Sequence, residues 1–173
     1  MDAALETAYP PASCPHVAML VTTPQEVAPA LAAFYALGAR RNGWLLHRSL
    51  AGRTDADRAR LTAAGLDVAG LEADGRMAFN EITADISLDD YVHVSDPEIE
   101  AALARGFDAP WCSRFPIGPD PEVIDRTLEY DRAWNAHAHA NRYVSLCVFI
   151  VDDPDRDRRA AQLAAIHDTV LRS

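Results

Sequence analysis

The chain contains 173 residues with a mass of 18.9 kDa, and it is 49% hydrophobic and 24% charged. This composition suits one globular domain with a sizeable core and excludes a disordered or fibrous chain. The 16 basic residues are all arginine, and the 26 acidic residues bring the formal net charge to −10. Phosphate backbones would repel such a chain, so no nucleic-acid binding is expected. The lack of lysine excludes a Schiff-base lysine and a Walker lysine.

The start of the chain and its cysteines bear on its location. Residues 1–15 are acidic and rich in proline, which predicts a short tail. No apolar run approaches the roughly 18 residues that a membrane helix needs, and no secretion signal is recognisable. The three widely spaced cysteines, Cys14, Cys112 and Cys147, are therefore expected to be free thiols in a reducing compartment. We expect a cytoplasmic protein without membrane contact.

Apolar runs and helix-start signals alternate along the rest of the chain. Strands are predicted at 16–22, 44–49, 77–82, within 107–118 and at 143–151. Helices are predicted to begin near Thr23, Thr54, Asp96, Asp120 and Asp153. Residues 83–95 show no clean period and are expected to form a loop. The last helix is expected to bury Leu163, Ile166 and Val170.

About five strands that alternate with helices indicate an α/β domain. In this class a mostly parallel sheet lies between helices on both faces, which makes a three-layer sandwich. No repeat or low-complexity linker divides the chain. We predict a single domain over residues 16–173.

Ligands of such a sheet bind beyond the carboxyl ends of the strands, where the strand order switches. The first strand-to-helix turn, at residues 20–26, contains no glycine and no lysine, and it places Glu26 where a phosphate would bind. Neither the P-loop pattern nor the dinucleotide fingerprint occurs in the chain. We therefore expect no nucleotide and no other cofactor.

Metal binding has weak support in the sequence. His137 and His139 are two residues apart, which on a helix separates their side chains by about 200° and prevents them from binding one ion. No second ligand pair completes a zinc site around Cys14 and His16. Solvated histidines at a helix end are the preferred interpretation, and no metal site is expected.

Two cysteines are candidate nucleophiles. Cys147 lies within an apolar strand, where an inert buried thiol is usual. Cys112 has Arg114 two residues later, which could lower the pKa of its thiol. No histidine adjoins Cys112 in the sequence, so no catalytic residue is assigned.

One predicted helix carries a polar pair beside a tryptophan. Asp131 and Asn135 are four residues apart and therefore share a helix face, with Trp134 beside them. An ordinary amphipathic helix with Trp134 in the core explains this pattern. The alternative is a polar pair that faces an apolar pocket. His16 has the same two interpretations, a hydrogen-bonded structural histidine or a ligand contact.

Several stretches in a fixed order resemble the MEDS domain, the sensory domain named after methanogens, methylotrophs and the dichloromethane-responsive regulator DcmR. They are His16, FYALG at 34–38 with Gly43, LTAAGLDV at 61–68, LEADG at 71–75, LEYDRAWN at 128–135, and Leu146 with Cys147. The resemblance extends over residues 16–171. It departs from the family at residues 87–117, where PWCSRFP at 110–116 replaces the usual glycine-and-acid strand end.

The resemblance implies a RecA/KaiC-like core without a phosphate loop and a role in sensing small hydrocarbon derivatives. The positions that match the recurring residues of the family are His16, Tyr130, Asp131, Asn135 and Cys147. The chain carries no recognisable output segment, so it would signal to a separate regulatory protein.

Our leading hypothesis is a stand-alone ligand-binding sensory domain for a small apolar or weakly polar molecule. Trp111, Phe115 and Trp134 would form the apolar wall of its cavity, with His16, Arg114 and Asn135 as polar contacts. The remaining candidate ligand-binding residues are Cys112, Tyr130, Asp131 and Cys147. Sensory α/β domains often pair, which favours a homodimer.

Two alternatives remain open. One is an enzyme or biosynthetic accessory protein on the same scaffold that uses Cys112 or an acid–histidine pair. The other is an interaction module without a small ligand, whose acidic face would bind an arginine-rich partner.

Overall fold

The computed structural model describes residues 1–116, 121–151 and 156–173. Their strands form one six-stranded sheet in which every pairing is parallel, in the order β3-β2-β4-β5-β1-β6. This arrangement confirms the predicted α/β fold with a parallel central sheet. Across the described part of the chain, no helix has the length and apolar character needed to cross a membrane.

The strands β1 to β6 span His16–Val21, Trp44–Leu50, Met77–Ile82, Pro110–Ser113, Val144–Ile150 and Thr169–Arg172. The helices α1 to α8 span Asp2–Ala8, Val27–Arg40, Thr54–Ala63, Val68–Ala73, Leu88–His93, Asp96–Ala104, Pro121–Asn141 and Arg156–Ala164. The predicted helix starts at Asp120 and Asp153 lie outside the described residues.

Helices cover both faces of the sheet, so its strands are buried on both sides. The first face packs against α1 to α4, and the second packs against α5 to α8. Successive residues of a strand point to opposite faces. Trp111 in β4 therefore lies in the core of the first face, whereas its neighbour Cys112 lies in the core of the second.

The order of the strands creates a switch point between β2 and β4. These two strands are neighbours, but the chain leaves β2 towards the edge strand β3 and leaves β4 towards β5 on the other side. Connections that depart in opposite directions open a crevice at the carboxyl ends of the two strands. The fold therefore places the candidate site at these strand ends.

Two segments differ from the sequence predictions. Val170, predicted to lie on the last helix, belongs to β6, which pairs with β1 and raises the strand count from about five to six. Residues 83–95, predicted to be a loop, contain the six-residue helix α5, whose N-cap Ser87 accepts a hydrogen bond from the Asp90 backbone. Both elements are short, and a short element contains too few residues to establish a hydrophobic period.

The prediction of an N-terminal tail is wrong, because residues 2–8 form α1 and pack onto the domain. Leu5 and Tyr9 are each 1% exposed, and the Tyr9 hydroxyl donates to the backbone carbonyl of Ser145 at 2.9 Å. Glu6 pairs with Arg40 and Arg41 at the end of α2. The segment is thus held by apolar burial and by ion pairs.

If α1 belongs to the core, Leu5→Ala should lower the free energy of unfolding by about 2–5 kcal/mol, because it removes a fully buried side chain. Leu103→Ala is the matched control, since Leu103 is 39% exposed on α6, and it should cost less than about 1 kcal/mol. Urea unfolding measures both. Equal losses in the free energy of unfolding for the two variants would mean that α1 is not packed in solution.

Candidate functional site

An apolar cleft opens at the carboxyl ends of β2, β3 and β4, beside the switch point. Its cavity of about 110 Å³ is lined by Leu50, Ile82, Thr83, Ala84, Ile86, Tyr91, Arg114, Arg126, Thr127 and Tyr130. Tyr91 on α5 and Tyr130 on α7 meet edge to face, with ring centroids 5.0 Å apart. The Tyr130 hydroxyl also donates to the backbone carbonyl of Ile86, which ties α7 to the loop before α5.

A second, polar cavity of about 220 Å³ adjoins this cleft. It is lined by Arg48, Leu50, Arg53, Asp57, Arg60, Ile82, Arg114, Phe115 and Pro116. The two cavities share Leu50, Ile82 and Arg114, so they lie side by side at the same strand ends. The four arginines give the second cavity a strongly cationic wall, although the chain as a whole is acidic.

Arg48 of β2 is an unusual arginine because it is only 4% exposed. Its Nη1 donates to the carbonyl of Tyr91 at 2.7 Å, and its guanidinium lies 4.3 Å from the ring centroid of Trp134. Within the described residues, its Nε and Nη2 have no hydrogen-bond partner. Two buried donors of a charged group without acceptors are costly, and such groups often mark a position that a ligand or water satisfies.

A third group of polar side chains is buried between α7 and the strands β1, β5 and β6. His16 Nε2 lies 3.3 Å from the Cys147 Sγ, which in turn lies 3.6 Å from the Asp131 Oδ1. The other carboxylate oxygen of Asp131 lies 3.6 Å from His167 Nε2. His16, His167 and Asp131 are at most 6% exposed, and Cys147 is partly buried.

The hydrogen bonds of the two histidines establish which ring nitrogens carry protons. His16 Nδ1 lies 3.0 Å from the side-chain oxygen of Asn135, and His167 Nδ1 lies 3.1 Å from the carbonyl of Leu163. Both oxygens only accept, so each Nδ1 carries the proton and each Nε2 presents a lone pair. Burial lowers the pKa of His16 to about 3 and that of His167 to about 4, so both rings are neutral at neutral pH.

Arg114 connects these regions of the second face. Besides the apolar cleft and the polar cavity, it lines a small cavity with Asp131 and Cys147 and another with Cys112 and Trp134. Burial raises the pKa of Asp131 to about 6, and the charge of Arg114 acts in the opposite direction. Arg114 therefore lines the open cleft and also the small cavity that borders Asp131 and Cys147 of the buried cluster.

The structure brings together most of the predicted polar residues. His16, Asp131, Asn135 and Cys147 form one buried cluster, as their helix spacing and strand positions allowed. Tyr130 lies outside that cluster, in the wall of the cleft. Trp134 is 4% exposed and donates from Nε1 to the Ser145 hydroxyl at 2.8 Å.

Trp111 and Phe115 do not share a cavity with Trp134. Trp111 lies on the opposite face of the sheet, where its ring packs on Tyr9 and Phe34 with centroid distances of 5.4 and 5.0 Å. A Cβ at Gly43 would lie 2.3 Å from this ring, which explains why glycine occurs there. Phe115 also packs in the core of the first face, beneath the Arg60 guanidinium. The predicted apolar wall is thus wrong, because Trp111 and Phe115 pack on the first face of the sheet whereas Trp134 of α7 packs on the second.

Cys112 is not an activated nucleophile. Its side chain is 4% exposed, and burial raises the pKa of its thiol to about 12. The nearby cation that counteracts this shift is Arg48 rather than Arg114, and its effect is the smaller one. The expectation of a lowered pKa is therefore wrong.

The predicted solvated histidines of α7 are in fact held by acids. His137 Nε2 lies 3.0 Å from Asp96, which also accepts from the Tyr143 hydroxyl and contacts His93 Nδ1 at 2.8 Å. His139 turns away from this group and pairs with Asp168 at 3.0 Å. As predicted from their spacing, the two α7 histidines do not converge.

Sequence reasoning missed Arg48, Tyr91 and His167. Arg48 occurs in a predicted strand that begins with three apolar residues, and a charge at such a position was the available signal. Tyr91 lies in α5, which was predicted to be a loop. His167 is close to His16 only because β6 pairs with β1, and that strand was not foreseen.

The turn after β1 differs from a phosphate-binding loop in its hydrogen bonds. One carboxylate oxygen of Glu26 accepts from the backbone and the hydroxyl of both Thr22 and Thr23, at 2.7–3.0 Å. These bonds, and another from the Ser173 hydroxyl, lower the pKa of Glu26 to about 2. The protein's own carboxylate therefore binds the backbone amides of Thr22 and Thr23, just before the helical segment begins.

The class defined by this architecture is the RecA/KaiC-like α/β fold. Among solved structures, the chain is similar to a KaiC-like protein from the hyperthermophilic archaeon Pyrococcus horikoshii OT3, with a TM-score of 0.57 and 15% identity. The match covers 78% of this chain, which spans 60% of that protein's length. No protein-family model and no curated protein matches the chain significantly.

The state of Cys112 can be tested by alkylation at neutral pH. Cys14, which is partly exposed, should react with iodoacetamide first, and Cys112 should react only when the protein unfolds, because its buried thiol stays protonated. Mass spectrometry of peptides assigns the modified residue. Alkylation of native Cys112 faster than Cys14 would restore the enzyme hypothesis.

Proposed function

We propose that this chain is a sensory domain that binds a small molecule in the cleft at the carboxyl ends of β2, β3 and β4 and signals to a separate regulatory protein. The observation that carries the proposal is an apolar cleft at the switch point of the sheet with Arg114 in its wall. Ligands of open parallel sheets bind at this place. The resemblance to MEDS domains supports the sensory role, and free thiols support a cytoplasmic location.

The walls of the cleft define the chemistry of the ligand. A cavity of about 110 Å³ lined by aliphatic and tyrosine side chains suits an apolar body of a few heavy atoms. Arg114, with Arg48 behind it, suits a carboxylate or another anionic group, since guanidinium donors bind such groups in charge-assisted hydrogen bonds. The expected apolar or weakly polar ligand is therefore revised to a small amphipathic anion.

Helix α5 is the element that would transmit the binding event. It supplies Tyr91 to the cleft, and it is attached to the sheet through the bond from Arg48 to the Tyr91 carbonyl. An anion that recruits the guanidinium of Arg48 would compete with this bond and bias the position of α5. Leu88 and Val94, at the two ends of α5, are large apolar side chains that are at least 36% exposed, and they offer a contact surface for a regulatory partner.

The alternatives have less support. The enzyme hypothesis loses its nucleophile, because the Cys112 thiol is buried with a raised pKa. One acid–histidine pair near the cleft, Asp57 and His47, is also buried, with His47 fully inaccessible. An interaction module without a ligand would not require a buried arginine with two free donors next to a cleft.

The proposal is tested by thermal unfolding of the protein with straight-chain carboxylates from acetate to hexanoate, at constant ionic strength. Carboxylates should raise Tm saturably, and the matching primary alcohols should do so less, because they lack the anionic group. Arg114→Gln should weaken carboxylate binding about 10- to 100-fold, the effect of losing one charge-assisted hydrogen bond.

Arg40→Gln is the matched control, since this arginine is exposed and pairs with Glu6 far from the cleft. It should bind carboxylates as the wild type does. Equal affinities for a folded Arg114→Gln variant and the wild type would remove Arg114 from the site. A Tm that no carboxylate changes would contradict the proposed class of ligand.

A further inference from the structure

We propose that His16, Cys147 and His167, with the carboxylate of Asp131, form a buried binding site for one divalent transition-metal ion, with zinc as the ion that fits best. This inference does not depend on the proposed sensory function. It follows from the positions of the four side chains, from the direction of their lone pairs and from their charge.

Three of the distances within this cluster are close to those between the ligand atoms of a tetrahedral zinc site. Zinc bonds of about 2.0–2.3 Å to nitrogen, oxygen and sulfur place neighbouring ligand atoms about 3.4–3.6 Å apart. The distances here are 3.3 Å from His16 Nε2 to Cys147 Sγ, and 3.6 Å from that sulfur to Asp131. The sulfur contact of Asp131 is made by Oδ1, and its other oxygen, Oδ2, lies 3.6 Å from His167 Nε2, so the carboxylate faces the site with both oxygens. The ligand atoms of His16, Cys147 and His167 all lie within 4.8 Å of one another.

The histidines are already oriented as metal ligands. A ligating histidine usually donates its second ring N–H to a carbonyl or carboxylate, which fixes the ring and its tautomer. His16 makes this bond to Asn135 and His167 makes it to the Leu163 carbonyl. Both Nε2 lone pairs therefore face the interior of the cluster.

Without an ion, the cluster has unsatisfied atoms. Within the described part of the chain, Asp131 Oδ2 and His167 Nε2 are buried without a hydrogen-bond partner. Their separation of 3.6 Å is too long for an N–H···O hydrogen bond between them. An ion bound to both atoms would satisfy them at once.

The charges also balance. Two neutral imidazoles, one thiolate and one carboxylate carry a formal charge of −2, which a divalent cation neutralises. A neutral assembly suits this buried position beside Arg114, where an added net charge would be costly. A thiolate and two imidazoles favour zinc over magnesium or calcium, which prefer oxygen ligands.

A second group, His93, Asp96 and His137, has compatible spacing but lacks these features. Each histidine already pairs with Asp96 at 2.8–3.0 Å, and the Tyr143 hydroxyl donates to the same carboxylate. No ligand atom of this group is buried and unpaired among the described residues. It therefore serves as the comparison site in the experiment.

The test is a Co²⁺ titration of metal-free, reduced protein. Wild type should bind one ion and develop a near-ultraviolet thiolate-to-cobalt charge-transfer band together with visible bands typical of tetrahedral coordination. Zn²⁺ should displace the cobalt and abolish these bands. Cys147→Ser should lose the charge-transfer band. His167→Asn, which retains a donor for the Leu163 carbonyl but removes Nε2, should weaken binding at least tenfold.

Cys14→Ser and His93→Gln are the controls, and both should titrate as the wild type does. Folded wild-type protein that shows no thiolate band would overturn the proposal. Binding that persists in Cys147→Ser but is lost in His93→Gln would assign the ion to the surface group and would also overturn it.

A measurement on the wild type covers the case in which the Cys147 and His167 variants fail to fold. Zn²⁺ should slow the alkylation of Cys147 while that of Cys14 stays unchanged, because a metal-bound thiolate is shielded. Equal alkylation rates of Cys147 with and without Zn²⁺ would contradict the site.

Discussion

The structure depends on one constraint, which is that both faces of its parallel sheet are covered by helices. Polar side chains on the central strands are then removed from water, whichever face they point to, whereas Glu81 and Arg172 on the edge strands stay exposed. The sheet nevertheless buries His16, His47, Arg48, Ser113 and Ser145. Most of their polar atoms find partners on the helices or neighbouring strands, such as Trp134 for Ser145. The few that do not are concentrated around α7 and the carboxyl end of β2, and these are the places where a ligand or an ion would be stabilised most.

The fold could be predicted from the sequence because its central strands and long helices carry strong local signals. The apolar runs of β1 and β5 and the Thr23–Glu26 capping box are examples, and all three are present in the structure. β6 escaped prediction because three of its four residues are only partly buried and the fourth is exposed. Helix α1 escaped because its stability comes from contacts with distant residues, as between Tyr9 and Ser145.

The site was predictable only in part, for a related reason. Spacing along α7 placed Asp131 and Asn135 on one face, and the structure confirms that they lie in one cluster with His16. Spacing contains no information about which strand faces α7, so His167 and Arg48 were missed. The prediction that Trp111 lines the cavity is wrong because its side chain points to the other face of the sheet. Alternation along β4 sends it to the face opposite Cys112, and the direction of that alternation becomes clear only when the neighbouring elements are known.

The fold by itself does not determine the ligand, as the turn after β1 demonstrates. The sheet has a RecA/KaiC-like fold, yet Glu26 accepts hydrogen bonds from the backbone amides of Thr22 and Thr23 in the turn after β1. In the proposed site, the arginines of β2 and of the β4 end would bind the anion instead. Asp131 links this site to the buried cluster, because the charge of Arg114 acts on the Asp131 carboxyl. An ion that binds Asp131 would weaken the electrostatic attraction between that carboxylate and Arg114. The Arg114 guanidinium would then be more available to an anion in the cleft. Such coupling would be reciprocal, so an anion bound at Arg114 would strengthen the binding of the ion by the same factor.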